Sequence, residues 1–496
     1  MPHPAHVVLT GEPPLVLHNS DTVSGPVAIV DRFVDDVHAD GGPTLRRAED
    51  AFISARVVDD DPSVAVIGLS PSGSDPAGER YHLRVHPGGV VIESPTDEGL
   101  HRGLTSLRQL IASNPDGLPC LEIDDAPRFA WRGLSLDVVR TFWPVSDVER
   151  VIDMLSLYRL NVLHLHLTDD QGWRIPVPGW PLLTTVGASG AMPDRPGGSY
   201  SVEELDHLVA YAAERFVTIV PEIDMPGHAA AAMRAYPALA ADPTTSNLDP
   251  DHDGVSAFAE DALATLAAAA PGPFVHIGGD EAWGMAADPY GRFVRTAREI
   301  VRAHGKRPIG WQETSRAGLG PDDVVQHWLV LDPRLERDLP ADLPPHIVEM
   351  IRESHGDLIR ARDADAWVLL SPAFHTYLDT RYRERPDDGP ELDRRNRLGL
   401  PVYPRRTAAE FFEWDPDDEH GNGVTKVAGI EAAMWCETIA TREELEFMLL
   451  PRLPGVAAIA WSPPQSTTWE QHRAALAAHT NVWAAREWTW FAHALR

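Results

Sequence analysis

Short apolar runs alternate with amphipathic helices along the chain from about Pro127 onwards. This alternation is typical of parallel β/α units, in which a helix carries the chain back from the end of one strand to the start of the next. Eight such units predict an α/β fold of the closed (β/α)8 barrel type, a TIM barrel. The candidate strands are residues 131–139, 162–168, 217–223, 273–279, 307–311, 324–328, 367–371 and 427–434.

A small α/β domain, residues 1–126, is predicted ahead of the barrel domain, residues 127–496. Between residues 81 and 92, alternating apolar and polar side chains flank Pro87–Gly89, and this pattern predicts a hairpin. Leucines spaced for one helix face follow, and this helix should stop before Asn114 because a proline comes next. The first domain is therefore predicted to be a sheet with at least one helix.

Two predicted barrel helices begin with a capping-box pattern, in which a Ser hydroxyl and a Glu three residues later satisfy free backbone N–H groups. Ser146 with Glu149 and Ser201 with Glu204 both fit this pattern. The tail, residues 469–496, is aromatic and helix-like. We interpret it as a helix that seals the barrel rather than as a binding element.

The chain is strongly acidic, with 43 Lys and Arg residues against 74 Asp and Glu residues and a net charge of −31. This charge argues against nucleic acid or an anionic membrane as the natural partner, and a neutral substrate is easier to reconcile with it. Cys120 and Cys436 imply no disulfide framework, so two free thiols are expected. No leader or membrane span is recognisable, and we expect a soluble cytoplasmic protein, or a secreted one if a leader has been removed.

Reactive and aromatic side chains stand where the predicted barrel strands end. In (β/α)8 barrels the C-terminal ends of the strands meet at one face, and active sites are built there. We therefore expect these side chains to share one pocket. They are Arg140, Asp169, Asp224, Asp280, Glu281, Trp311, Trp328 and Trp435.

Asp280 and Glu281 stand side by side after an apolar run. Adjacent side chains of a regular strand point to opposite faces, so the two acids can serve one pocket only where the backbone turns. Gly278 and Gly279 allow such a turn. Two carboxyls in one site cannot both stay ionised, so one is expected to have a raised pKa and to keep its proton as a general acid. The alternative is a solvated loop whose acids cap the next helix.

The octet His276–Trp283 closely resembles the signature of the family 20 glycoside hydrolases, the β-N-acetylhexosaminidases. Five further segments resemble that family in the same order. The resemblance implies a retaining exo-β-N-acetylhexosaminidase that needs no metal or other cofactor. It also implies a small oligosaccharide or glycoside substrate with terminal β-linked N-acetylglucosamine, and N-acetylgalactosamine as well. The five segments are residues 132–140, 164–174, 221–228, 310–313 and 431–437.

In this family the 2-acetamido oxygen of the sugar itself attacks the anomeric carbon, so no side chain acts as the nucleophile. The resemblance assigns Asp280 to orienting the acetamide and balancing the positive charge that develops on it. Glu281 would protonate the leaving oxygen and later take a proton from water. Asp169 and His228, which taken singly are more often structural, would form a relay that tunes this acid, and Asp224 would support the pair.

The same resemblance assigns the substrate-binding residues. Arg140 would grip vicinal hydroxyls, although an ion pair with a barrel acid is the alternative interpretation of its position. Asp379 and Glu437 would accept hydrogen bonds from ring hydroxyls, and Tyr377 would donate one to the acetamide oxygen. The aromatic box around the acetamide would consist of Trp311, Trp328 and Trp435, for which core packing is the alternative.

Some features leave alternatives open. His164 and His166 lie on one side of a predicted strand and could bind a metal with Asp169, although close His pairs are more often structural. Thr141 replaces the His often found after the family's Arg, which we expect to leave catalysis intact. Leu400–Tyr403 occupies a region where many members carry a further Trp, so the outer subsite is in doubt.

Two long segments are predicted as loops. Residues 379–395 are acidic and Arg-rich, typical of a solvated loop, and residues 329–366 are long enough to shape the substrate site at the barrel mouth. A reshaped mouth, here or at residues 396–410, would favour a relative that releases a disaccharide. A catalytically silent sugar-binding barrel is a rival from another class, and the paired acids Asp280 and Glu281 argue against it.

Overall fold

Two structural units follow one another along the chain: a seven-stranded sheet with two helices, and a closed barrel of eight parallel strands. The computed structural model describes residues 2–59, 65–240, 242, 244–329, 345–417 and 426–496. This architecture confirms the fold predicted from the sequence.

The N-terminal unit is a mixed sheet with helices α1 (Val27–Ala39) and α2 (Asp97–Ser113) packed against it. Its strands are β1 (His6–Leu9), β2 (Thr22–Ser24), β3 (Arg46–Arg47), β4 (Ile53–Val57), β5 (Tyr81–His86), β6 (Gly89–Ser94) and β7 (Leu121–Asp125). They lie in the order β1-β7-β5-β6-β4-β2-β3. β5 and β6 form the predicted hairpin, and α2 ends before Asn114 as predicted.

The barrel closes because its last strand pairs in parallel with its first. Its strands are β8 (Trp131–Asp137), β9 (Val162–His166), β10 (Thr218–Glu222), β11 (Phe274–His276), β12 (Arg307–Trp311), β13 (Val324–His327), β14 (Trp367–Leu370) and β15 (Val427–Met434). All eight overlap the predicted strands. β11 is shorter than predicted because the chain leaves the strand before Gly278, whose backbone is left-handed.

The inside of the barrel is layered, with an apolar floor beneath a polar layer. Each strand contributes one buried side chain to the floor, which keeps water out from below. Buried polar side chains lie above it, among them His164 on β9, Glu222 on β10 and Glu431 on β15. The floor consists of Trp131, Val162, Val220, Phe274, Ile309, Val324, Leu369 and Ala428.

Helices surround the barrel and cross its ends. No helix among the described residues is both long and apolar enough to cross a membrane. The helices that follow the first barrel strand are α3 (Val145–Leu157), α4 (Val202–Ala213), α5 (Ala230–Ala235), α6 (Asp253–Ala269), α7 (Ala287–Ala303), α8 (Pro345–Asp363), α9 (Ala373–Thr376), α10 (Gly389–Arg397), α11 (Ala408–Phe412), α12 (Arg442–Leu449), α13 (Arg452–Trp461) and α14 (Trp469–Ala485).

One of the two predicted capping boxes is present. The Ser201 hydroxyl accepts from the Glu204 N–H at 3.1 Å, and the Glu204 carboxylate accepts from the Ser201 N–H at 2.8 Å. The box at Ser146 was wrong, because α3 already begins at Val145 with a proline in the capping position. The carboxylate of Glu149 instead lies 2.7 Å from Nε2 of His207 on α4.

The two predicted loops are partly helical. The supposed loop 379–395 contains most of α10, which begins at Gly389 and runs on to Arg397. Arg395 of this helix is buried and donates to the carbonyls of Arg383 and Glu384. Within 329–366, residues 345–363 form α8, and residues 330–344 lie outside the described part of the chain. Charged composition misled the prediction for residues 379–395, since a helix can bury one long side chain while its other charges stay in water.

The C-terminal helix α14 is present as predicted, and it ties the two units together. Trp483 donates to the Tyr158 hydroxyl at the end of α3 at 2.6 Å. Just after the helix, Arg486 lies 2.8 Å from Asp36 and 2.7 Å from Asp40 of the N-terminal unit. Both cysteines are buried free thiols, as expected.

A buried ion cluster joins the first unit to the barrel. Glu79 lies 2.8 Å from Nε of Arg102 on α2 and 3.0 Å from Nη1 of Arg132 on β8. Burial opposes ionisation of this carboxyl, but Arg132 and Arg102 outweigh it and lower the pKa of Glu79. Both guanidinium groups are fully buried and share this carboxylate, and Arg102 has a second acidic partner in Glu98 at 2.8 Å.

Replacing Glu79 by Ala should therefore lower the free energy of unfolding by about 3–5 kcal/mol, because two buried cations lose their shared partner. Denaturant unfolding measures the change. Glu93→Ala is the matched control: its ion pair with Arg56 is largely exposed and should contribute less than about 1 kcal/mol. Equal losses in the two variants would contradict the role given to the cluster.

Candidate active site

The loop after β11 turns as its two glycines predict. Gly278 and Gly279 have φ values of 66° and 100°, and a Cβ on Gly278 would lie 1.8 Å from Asp224 Oδ1. Only glycine fits there. Glu281 follows with φ at 45°, a strained conformation for a residue with a side chain. The turn brings Asp280 and Glu281 to the same face, at the C-terminal end of the barrel.

Asp280 is the less exposed member of the pair, at 14% against 28% for Glu281, and it shares its surroundings with Asp224. The Gly279 N–H donates to Asp224 Oδ1 at 2.8 Å, which fixes this second carboxyl beneath the first. Burial and the neighbouring Asp224 raise the pKa of Asp280 well above its usual value. Burial likewise raises the pKa of Asp224, to about 7. The raised pKa values favour a proton shared between Asp280 and Asp224 at neutral pH, a pair that differs from the adjacent acids Asp280 and Glu281 considered in the sequence.

Glu281 faces the relay predicted for it. Nε2 of His228 lies 3.5 Å from Glu281 Oε2, and Nδ1 of the same ring lies 3.2 Å from Asp169 Oδ1. Burial disfavours charge on this ring, but Asp169 outweighs it and raises the pKa of His228 well above its usual value. A cationic ring between two carboxylates can respond to the loss or gain of a proton on Glu281.

Arg140 lies at the side of the same pocket. Its Nη2 is 2.6 Å from Asp169 Oδ2 and 3.9 Å from Glu437 Oε1, and its guanidinium carbon lies 5.2 Å from the centre of the Trp435 ring. The ion pair weighed as the alternative is therefore present. The same ion pair with Asp169 holds the guanidinium beside the pocket. That Arg140 binds the substrate stays a prediction.

Four aromatic rings form a box next to Asp280. Trp328 and Tyr377 are nearly parallel with ring centres 6.4 Å apart, and Trp435 lies 6.0 Å from both Tyr377 and Trp311. These rings come from four different strand ends, yet they share one cluster. Their faces form an apolar surface suited to a methyl group or a sugar face.

Buried acceptor oxygens complete the pocket. Asp379 is fully buried, and neither of its carboxylate oxygens has a hydrogen-bond partner among the described residues; the same holds for Glu437 Oε2. Burial and the nearby Glu437 raise the pKa of Asp379 well above its usual value. Because buried acceptors without donors are costly, these oxygens are suited to a ligand that brings several hydroxyls.

Two departures from the family pattern have structural explanations. The Thr141 hydroxyl donates to the Ile439 carbonyl and accepts from Arg195, so it supports a neighbouring loop rather than the pocket. Tyr403 stands at the edge of the aromatic box, 5.9 Å from the Tyr377 ring. The segment Leu400–Tyr403 therefore does supply an aromatic ring at the pocket mouth.

The His pair of β9 does not form the metal site considered for it. Nε2 of His166 is 2.9 Å from Asp169, but His164 turns to Glu431 and Glu222, at 2.9 and 3.1 Å. Each nitrogen of these rings thus faces a carboxylate at hydrogen-bonding distance. Ion pairing within the barrel accounts for both rings.

No role was predicted from the sequence for two residues of the site, Gln312 and Glu313. Glu313 accepts from Trp328 Nε1 at 3.2 Å, and Gln312 accepts from the Trp328 backbone N–H at 3.1 Å. Together they hold one wall of the aromatic box. Their place directly after Trp311, inside a segment that resembles the family, is the signal that could have found them.

The chain matches known families along most of its length. Residues 129–288 and 285–464 match the model of the glycosyl hydrolase family 20 catalytic domain. Residues 28–126 match the model of that family's domain 2.

Individual relatives agree with this match. A β-N-acetylhexosaminidase from Cellulomonas fimi is 39% identical over 444 residues, which cover 86% of this chain and 83% of the relative. A mutant β-hexosaminidase from Streptomyces plicatus in complex with the product GlcNAc superposes with a TM-score of 0.82 at 31% identity, covering 98% of this chain and 95% of that one. A family 20 exo β-N-acetylglucosaminidase from Vibrio harveyi in complex with N-acetylglucosamine has a TM-score of 0.79 at 25% identity, covering 99% and 77%.

The Asp224–Asp280 pair predicts an unusual pH dependence of stability. A carboxyl whose pKa rises from 3.8 when unfolded to about 7 when folded stabilises the protein fully below its unfolded pKa, and this contribution is lost as pH rises through 7. Relative to Asp224→Asn, the wild type should therefore gain about 2–4 kcal/mol as pH falls from about 8 to 4. Melting curves across this range test it. If the stabilities of the wild type and Asp224→Asn changed in parallel with pH, the prediction would be contradicted. The control is Asp206→Asn, which replaces an exposed acid on α4 and should leave the pH dependence of the wild type unchanged.

Proposed function

We infer that this chain, which belongs to glycosyl hydrolase family 20, is a retaining exo-β-N-acetylhexosaminidase that uses the acetamide group of its substrate as the nucleophile. The substrate would be a small oligosaccharide or glycoside with a terminal β-linked N-acetylglucosamine or N-acetylgalactosamine. The family match and the 39% identical relative support the reaction class, and the geometry of the pocket supports the mechanism.

The observation that carries the proposal is the placement of Asp280 against the aromatic box. Oδ1 of Asp280 is buried and has no hydrogen-bond partner among the described residues, so it can accept from the acetamide N–H. The rings of Trp311, Trp328 and Trp435 suit the acetamide methyl, and the Tyr377 hydroxyl can donate to the acetamide oxygen. A neutral acetamide satisfies these groups together, whereas a hydroxyl at the same carbon would not.

The mechanism then follows from which atoms gain and lose protons. The acetamide oxygen attacks the anomeric carbon while Glu281 gives its proton to the departing glycosidic oxygen, and a cyclic oxazolinium ion forms. Asp280 in its ionised form offsets the positive charge on the nitrogen. Water then attacks the same anomeric carbon, Glu281 takes its proton, and the acetamide oxygen is released. Two displacements at one carbon retain its configuration.

The closed end of the pocket supports exo cleavage. Arg140 and Asp379 are buried and Glu437 is half-buried, and together they offer donors and acceptors to the hydroxyls of a single ring. A sugar linked further at those hydroxyls would have to displace these side chains. The proposal therefore favours release of one terminal residue over release of a disaccharide.

Wild-type protein should release free N-acetylhexosamine from an aryl N-acetylglucosaminide and should release little from the matching aryl glycoside of a disaccharide without first trimming it. Chromatography of the products distinguishes the two modes. Direct release of an intact disaccharide would favour the disaccharide-releasing alternative. No turnover of either compound would favour a silent sugar-binding barrel.

Asp280→Asn should reduce turnover strongly, because Asn cannot supply the charge that offsets the oxazolinium, a loss of roughly 3–4 kcal/mol by analogy with single-donor deletions at other active sites. In the same assay a thiazoline mimic of the cyclic intermediate should inhibit the wild type tightly. The wild type should not hydrolyse glucosides, because they lack the 2-acetamido group that acts as the nucleophile. A covalent sugar adduct on Asp280, found by mass spectrometry with a fluorosugar, would instead make that carboxylate the nucleophile.

A further inference from the structure

We propose that Glu222 is a positioning residue of this reaction, in which one buried carboxylate holds both the aromatic box and the relay behind the acid. It ends strand β10 and is fully buried below the pocket. The inference rests on the proposed function, because it concerns the same site, but it assigns a role to a residue that contacts the pocket only through other side chains.

Four ring nitrogens from three strands converge on the two oxygens of Glu222. Oε1 accepts a hydrogen bond from Trp311 Nε1 at 2.9 Å and lies 2.9 Å from His276 Nδ1. Oε2 lies 2.6 Å from His166 Nδ1 and 3.1 Å from His164 Nε2. His166 of β9 and Trp311 of β12 are thus hydrogen-bonded to one side chain of β10, and His276 of β11 lies beside the same carboxylate.

His166 has to carry both ring protons in this arrangement. Its Nδ1 faces Glu222, and its Nε2 lies 2.9 Å from Asp169 Oδ2. A neutral ring donates through only one nitrogen, so one carboxylate would face a lone pair. Burial disfavours the charged ring, but Glu222 and Asp169 outweigh it and raise the pKa of His166 well above its usual value. The ring is a buried cation held between two anions.

Two routes connect Glu222 to the pocket. The first is the bond to Trp311, which fixes the plane of one wall of the aromatic box. The second runs through His166 to Asp169, whose other oxygen holds His228 against Glu281.

The second route also fixes Arg140, because its guanidinium rests on the same oxygen of Asp169 that His166 contacts. A change at Glu222 is therefore expected to reach both the acetamide site and the acid, although Glu222 touches neither substrate nor acid.

Other charged groups also face this cluster. Around Glu222 stand His164, which also contacts Glu431 at 2.9 Å, and His276. Asp224 lies two residues further along the chain and senses the charge of His166. Arg140 faces Asp169 on the pocket side. A pH profile of a Glu222 variant reports on this whole set rather than on one pair.

Gln at position 222 keeps the shape of the side chain and removes its negative charge. Its amide oxygen can accept from Trp311, and its amide nitrogen then faces Nδ1 of His166, which must act as an acceptor. Without the negative charge of Glu222, His166 has less cause to stay doubly protonated, and a neutral ring would remove a positive charge from beside Asp169.

Glu431 offers a matched control inside the same barrel. It is as deeply buried as Glu222 and accepts from Trp131 Nε1, Gln326 Nε2 and His164 Nδ1, each at 2.9 Å. None of these three partners lines the predicted pocket. Glu431→Gln therefore removes an equivalent buried charge and leaves the contacts of Glu222 with Trp311 and His166 in place, since it reaches Glu222 through His164, which belongs to neither route.

The test compares Glu222→Gln and Glu431→Gln by melting temperature, kcat, KM and the pH profile, with aryl N-acetylglucosaminides of good and poor leaving groups. Both variants should melt at lower temperature. Glu222→Gln alone should lower kcat by about 10²-fold, should lose more on the poor leaving group, and should shift the pH profile. Glu431→Gln should keep the kcat and pH profile of the wild type.

The outcomes separate the two proposals. An inactive wild type would overturn the proposed function and this inference with it. An active wild type whose two variants change kcat and pH profile alike, or whose Glu222→Gln changes only the melting temperature, would overturn the inference alone.

If Glu222→Gln does not fold, the two routes can be cut separately. Trp311→Phe keeps the ring but loses the bond to Glu222, and should chiefly weaken binding of a thiazoline inhibitor. His166→Asn should chiefly increase the sensitivity of kcat to the leaving group. Equal effects of both variants on both readouts would show that Glu222 does not act through two routes.

Discussion

The charges inside the barrel must neutralise one another, because the apolar floor and the surrounding helices keep bulk water away from them. An isolated buried carboxylate would cost several kcal/mol, so each anion depends on a cation within hydrogen-bonding distance. Glu222, Glu431 and Asp169 meet this condition through His164, His166 and Arg140. The position of each group is therefore set by the others. These buried ion pairs in turn fix the side chains of the pocket above them.

Asp280 differs from these anions because its nearest carboxyl neighbour is another acid. Before substrate binds, it shares a proton with Asp224, and no uncompensated charge lies beneath the aromatic box. In the proposed mechanism positive charge develops on the acetamide nitrogen, and the same low-dielectric surroundings that opposed ionisation would then strengthen the attraction between the two charges. The site is thus suited to a charge that appears during the reaction rather than to a permanently charged ligand.

The sequence predicted the fold because strand length and helix periodicity are local properties. It also predicted the turn at Gly278, since two successive glycines allow the backbone to leave the strand, and the structure adds that a Cβ at Gly278 would meet Asp224. It failed where another local interaction outweighed the pattern. Pro144, not Ser146, occupies the capping position of α3, and a helix with the buried Arg395 stands where a loop was expected. Glu222 drew no prediction because its partners come from three other strands, and no local pattern shows which side chains a closed barrel brings together.

The mouth of the pocket obeys a different constraint from its base. Tyr403 packs its ring against Tyr377 at the edge of the box, while the neighbouring Val402 is 74% exposed. Exposed loop residues share no charge with the buried layer, so they can change without altering the pairing below. Recognition of the sugar that leaves is therefore separable from the chemistry. A phenol ring at this edge offers a flat apolar surface and one hydroxyl, and both favour contact with a sugar over contact with a purely apolar aglycone.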